Sequence, residues 1–231
     1  MEAQELNLDY FKIYDIRDYR VNYRVALQGQ FDEEPESAEL LVLSQFANPA
    51  KKNREELHDR HAHLAWYWLY QPMPEPTREV IVQHQFGKHK LVIGAARALL
   101  VPAQKRERGS RFPKGLDHYK LYWVYRSKAL DEKVMLTDQF GSEEISVTYP
   151  VAFGVPVTKV HLGKDAPFCP DCIEKGTPIY NDRAHLVIYR IEPRKLQEGR
   201  VVRDQFGVRH LYFFRSLGLA VPSLKLEWQE I

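Results

Sequence analysis

Cys169-Pro-Asp-Cys172 has the spacing that two zinc thiolates need, because a two-residue gap lets both sulfurs face one metal. The sequence holds no second cysteine pair, and only His161 and His185 are placed to complete a four-ligand site. Two free thiols or a local disulfide are the alternatives for a half-site of this kind. His58, His61 and His63 form a second cluster of metal-competent side chains. Their spacing across a helix-to-strand junction does not bring all three to one point. The third group is basic: Lys105, Arg106, Arg108, Arg111 and Lys114 stand against Glu107 alone. Such a run suits a phosphate backbone, with Phe112 placed to stack on a base, and it also suits a solvated linker.

No established catalytic pattern joins these groups. The zinc deaminase signature fails, since Ala62 leads from His61 to His63 and Phe168, not proline, precedes Cys169. A Gly-x-Ser-x-Gly elbow, a phosphate-binding loop and a dinucleotide fingerprint are all missing. The expectation is therefore no cofactor unless zinc sits at Cys169 and Cys172.

The elements that must position these residues declare themselves by repetition. Gln-Phe occurs five times where 12 Gln and 11 Phe among 231 residues predict roughly 0.6 by chance. Four of these, at Gln30, Gln85, Gln139 and Gln205, are followed by Pro49, Pro102, Pro156 and Pro222 at intervals of 19, 17, 17 and 17 residues. Three positions beyond each proline stands a lysine: Lys52, Lys105, Lys159 and Lys225. Upstream, each copy opens on Tyr10, His63, His118 or His185 and has tyrosine four positions later, at Tyr14, Tyr67, Tyr122 and Tyr189. The chain reads as four copies of a unit of about 43 residues.

Each unit reads as three strands. The opening run is short, aromatic and β-branched, as in residues 184–191. Gly87, Gly141 and Gly207 follow Gln-Phe where a hairpin turn needs positive φ. Apolar residues then alternate, as in Leu91 and Ile93, the period of a half-buried strand. The prolines are expected to end pairing, for want of an N–H. The shared tyrosines are expected in the core with hydroxyls satisfied, the glutamines bonded to backbone, and the lysines solvated. Residues 50–61 have helix-forming composition and predict one or two helical turns. The interval from Gln139 to Gln205, 66 residues against 55 and 54 for the earlier two, carries an insertion at 160–183 with the cysteines.

Composition limits function by exclusion. Hydrophobic residues at 44% and aromatics at 12% fit a folded chain, and a net charge of +2 gives no strong pull toward nucleic acid or membrane. The acidic start lacks a basic and apolar leader, and two cysteines cannot staple the fold, which points to a reducing, cytoplasmic setting. Export with a signal peptide already removed is the alternative.

The pattern of His-Leu, Tyr, Asp-Gln-Phe-Gly and Val-Pro-x-x-Lys resembles a family of bacterial and archaeal β-rich proteins known as a domain of unknown function. The resemblance covers Asp117 to Lys225, through Arg183-Ala184-His185-Leu186, Asp204-Gln205-Phe206-Gly207 and Val221-Pro222-Ser223-Leu224-Lys225, and more loosely Asp9 to Lys105. It implies architecture and no activity. Members of that family often carry Cys within the opening strand and before Val-Pro. Here those places hold Ile13, Trp66, Leu121 and Ile188, and Ala47, Leu100, Gly154 and Ala220.

The expected fold is all-β, with residues 1–105 holding units 1 and 2, a basic linker at 106–116, and residues 117–231 holding units 3 and 4. Two tandem barrels or sandwiches, or one closed four-unit assembly, satisfy the need to cover open sheet edges. The expected function is non-enzymatic binding or scaffolding, through loops or sheet edges, with another protein as partner and nucleic acid as the alternative partner. A metal- or thiol-dependent enzyme centred on Cys169 and Cys172 is the rival.

Overall fold

The aromatic and β-branched runs of the sequence become eleven strands, with no helix among the described residues, in a computed structural model that describes residues 6–70, 74–163 and 176–231. The strands are β1 (Tyr10–Gly29), β2 (Glu36–Lys52), β3 (His63–Tyr70), β4 (Arg78–His84), β5 (Gly87–Lys105), β6 (His118–Ser127), β7 (Glu132–Asp138), β8 (Gly141–Gly163), β9 (His185–Ile191), β10 (Lys195–Asp204) and β11 (Gly207–Glu230). Units 2, 3 and 4 each hold three strands. In unit 1 the first two strands are continuous as β1, with register shifts after Asp15 and Arg20 marking the joint.

The opening and closing segments of the units alternate around a closed antiparallel ring, β1-β2-β3-β5-β6-β8-β9-β11, with β11 pairing back onto β1. Pairing thus follows the closed four-unit arrangement, and β5–β6 and β1–β11 join the halves directly. Closure leaves this ring without an open edge, which removes a site of edge-to-edge aggregation.

Register is the same in every unit. Phe11, Leu64, Tyr119 and Leu186 face Pro49, Pro102, Pro156 and Pro222. The positions that resembled the family's cysteines also face one another: Ile13 with Ala47, Trp66 with Leu100, Leu121 with Gly154, Ile188 with Ala220. These side chains fill the ring in one buried cluster, large residues from opening strands set against mostly small ones from closing strands. At Gly154 a Cβ would come within 3.0 Å of Leu121 Cδ2 and 3.2 Å of Leu186 Cβ, so the interior is full there.

The prolines do not end the strands, contrary to the expectation from their missing N–H. They mark where a closing strand leaves the ring and changes partner. Beyond them Lys51–Lys52 pair with β7, Gln104–Lys105 with β10, residues 157–163 with β1, and residues 224–230 with β4. Each unit therefore hands its tail to the hairpin two units away. The helix expected over residues 50–61 is absent too: Ala50 to Lys52 belong to β2, and Asn53 donates from its backbone to Met135 O at 2.7 Å. Tertiary pairing with β7 outweighs local helix propensity. The glycine turns behave as expected, with φ of +105°, +122° and +129° at Gly87, Gly141 and Gly207.

The second core cluster lies outside the ring, under the hairpins, and contains Tyr14, Tyr67, Tyr122 and Tyr189. Three of these hydroxyls reach the residue before Gln-Phe two units away: Tyr14 donates to Asp138 Oδ2 at 2.7 Å, Tyr67 bonds Asp204, and Tyr189 bonds His84 at 2.8 Å. The glutamines bond side chains of the opening residues, not backbone as the sequence suggested. Tyr10 donates to Gln85 Oε1 at 2.9 Å, and Gln30 bonds His185. Two of the shared lysines are not solvated either: Lys105 and Lys159 are buried, Lys105 with Nζ 4.5 Å from the Phe140 centroid and Lys159 with Nζ 5.6 Å from that of Phe206, while Lys52 and Lys225 are half-buried. Buried cations over aromatic faces are partly compensated by the ring quadrupole.

Candidate functional site

Residues that precede the opening strands, Leu8, Ala62, Leu116 and Ala184, are buried in the inner cluster with Leu6 and close one end of the ring. The opposite end is open. There the inward positions three and five residues after the strand openings carry Ile13 and Asp15, Trp66 and Trp68, Trp123, and Ile188 and Arg190, around a cavity of about 710 Å³. Period-two alternation puts Trp66 and Trp68 on one face of β3, and Trp123 joins them from β6 across β5. The three indoles meet edge to face, at centroid separations of 5.5 Å for Trp68–Trp123, 6.1 Å for Trp66–Trp123 and 6.5 Å for Trp66–Trp68.

Small residues on β5 make room for this cluster. Ala98 lies in the inner core, and Gly94 lies under the ring of Tyr125, where a Cβ would come within 2.0 Å of a ring carbon. Tyr125 is 62% exposed and Tyr149 45% exposed, and both line the cavity at its rim.

Two polar atoms deep in the wall have no hydrogen-bond partner in the protein: Trp66 Nε1, on a residue only 3% exposed, and Gln45 Oε1. They belong to residues that face each other across β2 and β3. An unpaired buried donor and acceptor cost free energy until water or a ligand bonds them. Arg215 is engaged, donating from Nε to Asp15 Oδ2 at 2.6 Å. Arg126 and Arg190 are exposed and make no ion pair among the described residues. The cup thus combines an indole wall, one free donor, one free acceptor and two uncommitted guanidinium groups. Chemically, that set is suited to binding and orienting a ligand.

The groups singled out in the sequence lie elsewhere. Cys169 and Cys172, the proposed zinc thiolates, fall outside the described residues, as does half of the 160–183 insertion. Among the described residues no cluster of three His, Cys, Asp or Glu side chains is placed to hold a metal. His63 is buried at the start of β3, and burial, with the nearby Lys105 charge, holds its imidazole well below the usual range. The basic segment separates into different roles. Lys105 is buried at the end of β5; Arg106, Arg108, Arg111 and Lys114 are exposed beyond it, and Arg111 pairs with Asp59 at 2.9 Å. Burial thus separates Lys105 from the four exposed cations of this segment.

Sequence reasoning passed over the tryptophan cluster. The signal was available: three of the four tryptophans fall three or five residues after a unit's opening residue, on the inward side of the ring.

Comparison with known proteins gives a family and no activity. Residues 63–222, from the opening of β3 to the last ring proline, match the profile of a family described as a repeat of unknown function (DUF7450). No curated protein and no solved structure matches. With more than half its length inside that profile, the chain belongs to the family of the repeat of unknown function (DUF7450).

Proposed function

We propose that this protein is a non-catalytic binding protein, and that the open end of its ring takes the apolar, ring-bearing end of an anionic ligand. One observation carries this reading: three tryptophans converge on a cavity of about 710 Å³ whose wall holds an unpaired buried donor and acceptor. Small-molecule sites commonly measure about 300–1,000 Å³, mostly apolar with a few convergent polar groups. The charge preference rests on Arg126 and Arg190, whose forked donors suit a carboxylate or sulfonate at the rim.

Three of the four indoles report on the cup, so an anilinonaphthalene sulfonate dye provides the test. Saturable quenching of tryptophan emission is expected, weakened by Arg190→Ala and lost in Trp68→Ala. Emission that does not change on titration overturns the reading. Exposed Tyr125 and Tyr149 favour a second version, in which the ligand is an acidic, aromatic segment of a partner protein, because Tyr, Trp and Arg dominate binding energy at protein interfaces. Displacement of the dye by naphthoate supports the small ligand. Displacement by an acidic aromatic peptide but not by naphthoate supports the partner.

A further inference from the structure

A second cavity, of about 410 Å³, lies outside the ring between the end of β2, the loop leading to β3, the segment after β5 and the β7–β8 turn. Its lining includes Lys105, His63, Arg60, His61 and Arg108. Lys105 is 2% exposed, and its Nζ has no hydrogen-bond partner in the protein. Nδ1 of His63, also buried, has none.

Comparison with the equivalent lysines shows what is unusual. Lys52 pairs with Glu55 at 2.7 Å, Lys159 donates to Gln205 Oε1 at 2.6 Å, and Lys225, half-buried, lies over the rings of Phe31 and Trp228; of the four, only Lys105 is buried with an unbonded Nζ. The residue three positions after Lys52 is that Glu55; three positions after Lys105 it is Arg108. At the same sequence offset an acid follows Lys52 and a cation follows Lys105, and the cavity borders Lys105 with no acid bonded to its Nζ. Arg60 and Arg108 are exposed and make no ion pair among the described residues. The nearby acids have other partners: Asp138 accepts from Tyr14, from Asn48 and from the Phe140 amide, Glu107 pairs with Arg200 at 3.3 Å, and Glu198 pairs with the same Arg200 at 2.7 Å.

We propose that this cavity binds a small oxyanion of the sulfate or phosphate type, held by Arg60 and Arg108 and completed by the Lys105 ammonium. In the unliganded protein, burial keeps the Lys105 amine well below its usual range; Asp138 and Glu107 oppose that effect and Arg200 reinforces it. The anion supplies the missing counter-charge and so favours the ammonium form, and a proton is drawn from solvent onto Nζ wherever the free amine is neutral. Affinity therefore falls as pH rises, when the proton must be drawn from a more alkaline solvent. His63 also faces the cavity, and a proton taken up there on binding acts in the same direction.

Sulfate is the probe, because its own charge does not change near neutral pH. Isothermal titration calorimetry with sodium sulfate, in two buffers of different ionisation enthalpy and against sodium chloride at equal ionic strength, is expected to show saturable binding with proton uptake. Arg108→Glu, which restores the acid found after Lys52, should weaken binding by about tenfold or more. Lys105→Met, which suits the phenyl surroundings and should fold, should abolish the proton uptake. No saturable sulfate heat in the native protein, or binding unaltered by Arg108→Glu, overturns the proposal. Sulfate binding with no proton uptake in the native protein overturns the part played by Lys105.

Discussion

Nε2 of His84 and the hydroxyl of Tyr189 lie 2.8 Å apart, although 105 residues separate them in the chain. At the equivalent place Tyr14 donates to the carboxylate of Asp138 at 2.7 Å, so the imidazole stands where an acid does and the bond is reversed. Because Nδ1 of His84 accepts the Phe86 amide at 3.2 Å, the ring proton sits on Nε2, which donates to the tyrosine oxygen. Tyr189→Phe leaves that N–H buried without a partner and should cost about 1–3 kcal/mol. A urea midpoint that falls with unchanged slope is the expected result; an unaltered midpoint would refute the assignment.

Acid should unfold the protein through its buried histidines. Burial lowers His185 to about 4 and His84 to about 3 from an ordinary 6.5, and it lowers His63 and His118 as well. Unfolded histidine takes up a proton near pH 6.5, whereas these folded ones resist until lower pH. Stability is thus complete above about pH 7 and drains away between about 6.5 and 4, at up to about 1.4 kcal/mol per pH unit for each histidine. Chemical denaturation at a series of pH values should show this slope, and His185→Gln should flatten it. A profile that stays level from pH 7 to 5 would contradict the burial of these rings.

Lys120 shows what replaces the tyrosine bond in unit 3. Unit 1 has Gly29 where its counterparts have His84, Asp138 and Asp204, so Tyr122 finds no such partner. Instead fully buried Lys120 bridges Asp32 at 2.9 Å, Glu36 at 2.8 Å and Glu75 at 3.3 Å. Burial disfavours its charge, and the interactions with Tyr122, Asp32 and Glu75 outweigh that, raising its proton affinity above the ordinary lysine value. Lys120→Met should cost about 3–5 kcal/mol, because Asp32 and Glu36 lose the Lys120 cation while Glu75 keeps only Arg78, at 3.1 Å. A variant as stable as the native chain at pH 7 would show the bridge to be dispensable.

Gly154→Ala tests the filling of the ring. Its new methyl group must displace Leu121 and Leu186, with an expected penalty of about 1–3 kcal/mol. Gly199→Ala is the control, since a Cβ there meets nothing nearer than 3.7 Å from Tyr212. Equal stability of the two variants in thermal melts would mean that the interior has slack.

Spacing made the architecture legible because register leaves a mark in one dimension. Gln-Phe, the opening His or Tyr and the proline recur at nearly fixed intervals, since each must meet its counterpart across the same ladder. Partnership between units leaves no such mark. Nothing in the sequence says that Gln85 meets Tyr10 of the preceding unit, or that Tyr67 reaches Asp204 of the unit beyond the next. Lys105 reads as a surface residue by type, and only the convergence of Phe46, Phe140 and Phe213 from three separate units buries it. The tryptophans look like ordinary core, and what makes them a site is the open end of the ring, a feature of closure.

Handing each tail to the unit two places on splits the four units into reciprocal couples, first with third and second with fourth. A chain carrying only two such units has no mate for either tail within itself. To build this same ring it must associate with an identical molecule, each copy lending its strand ends to the other. The single chain described here holds both contributors in one covalent thread, and its ring is therefore independent of protein concentration.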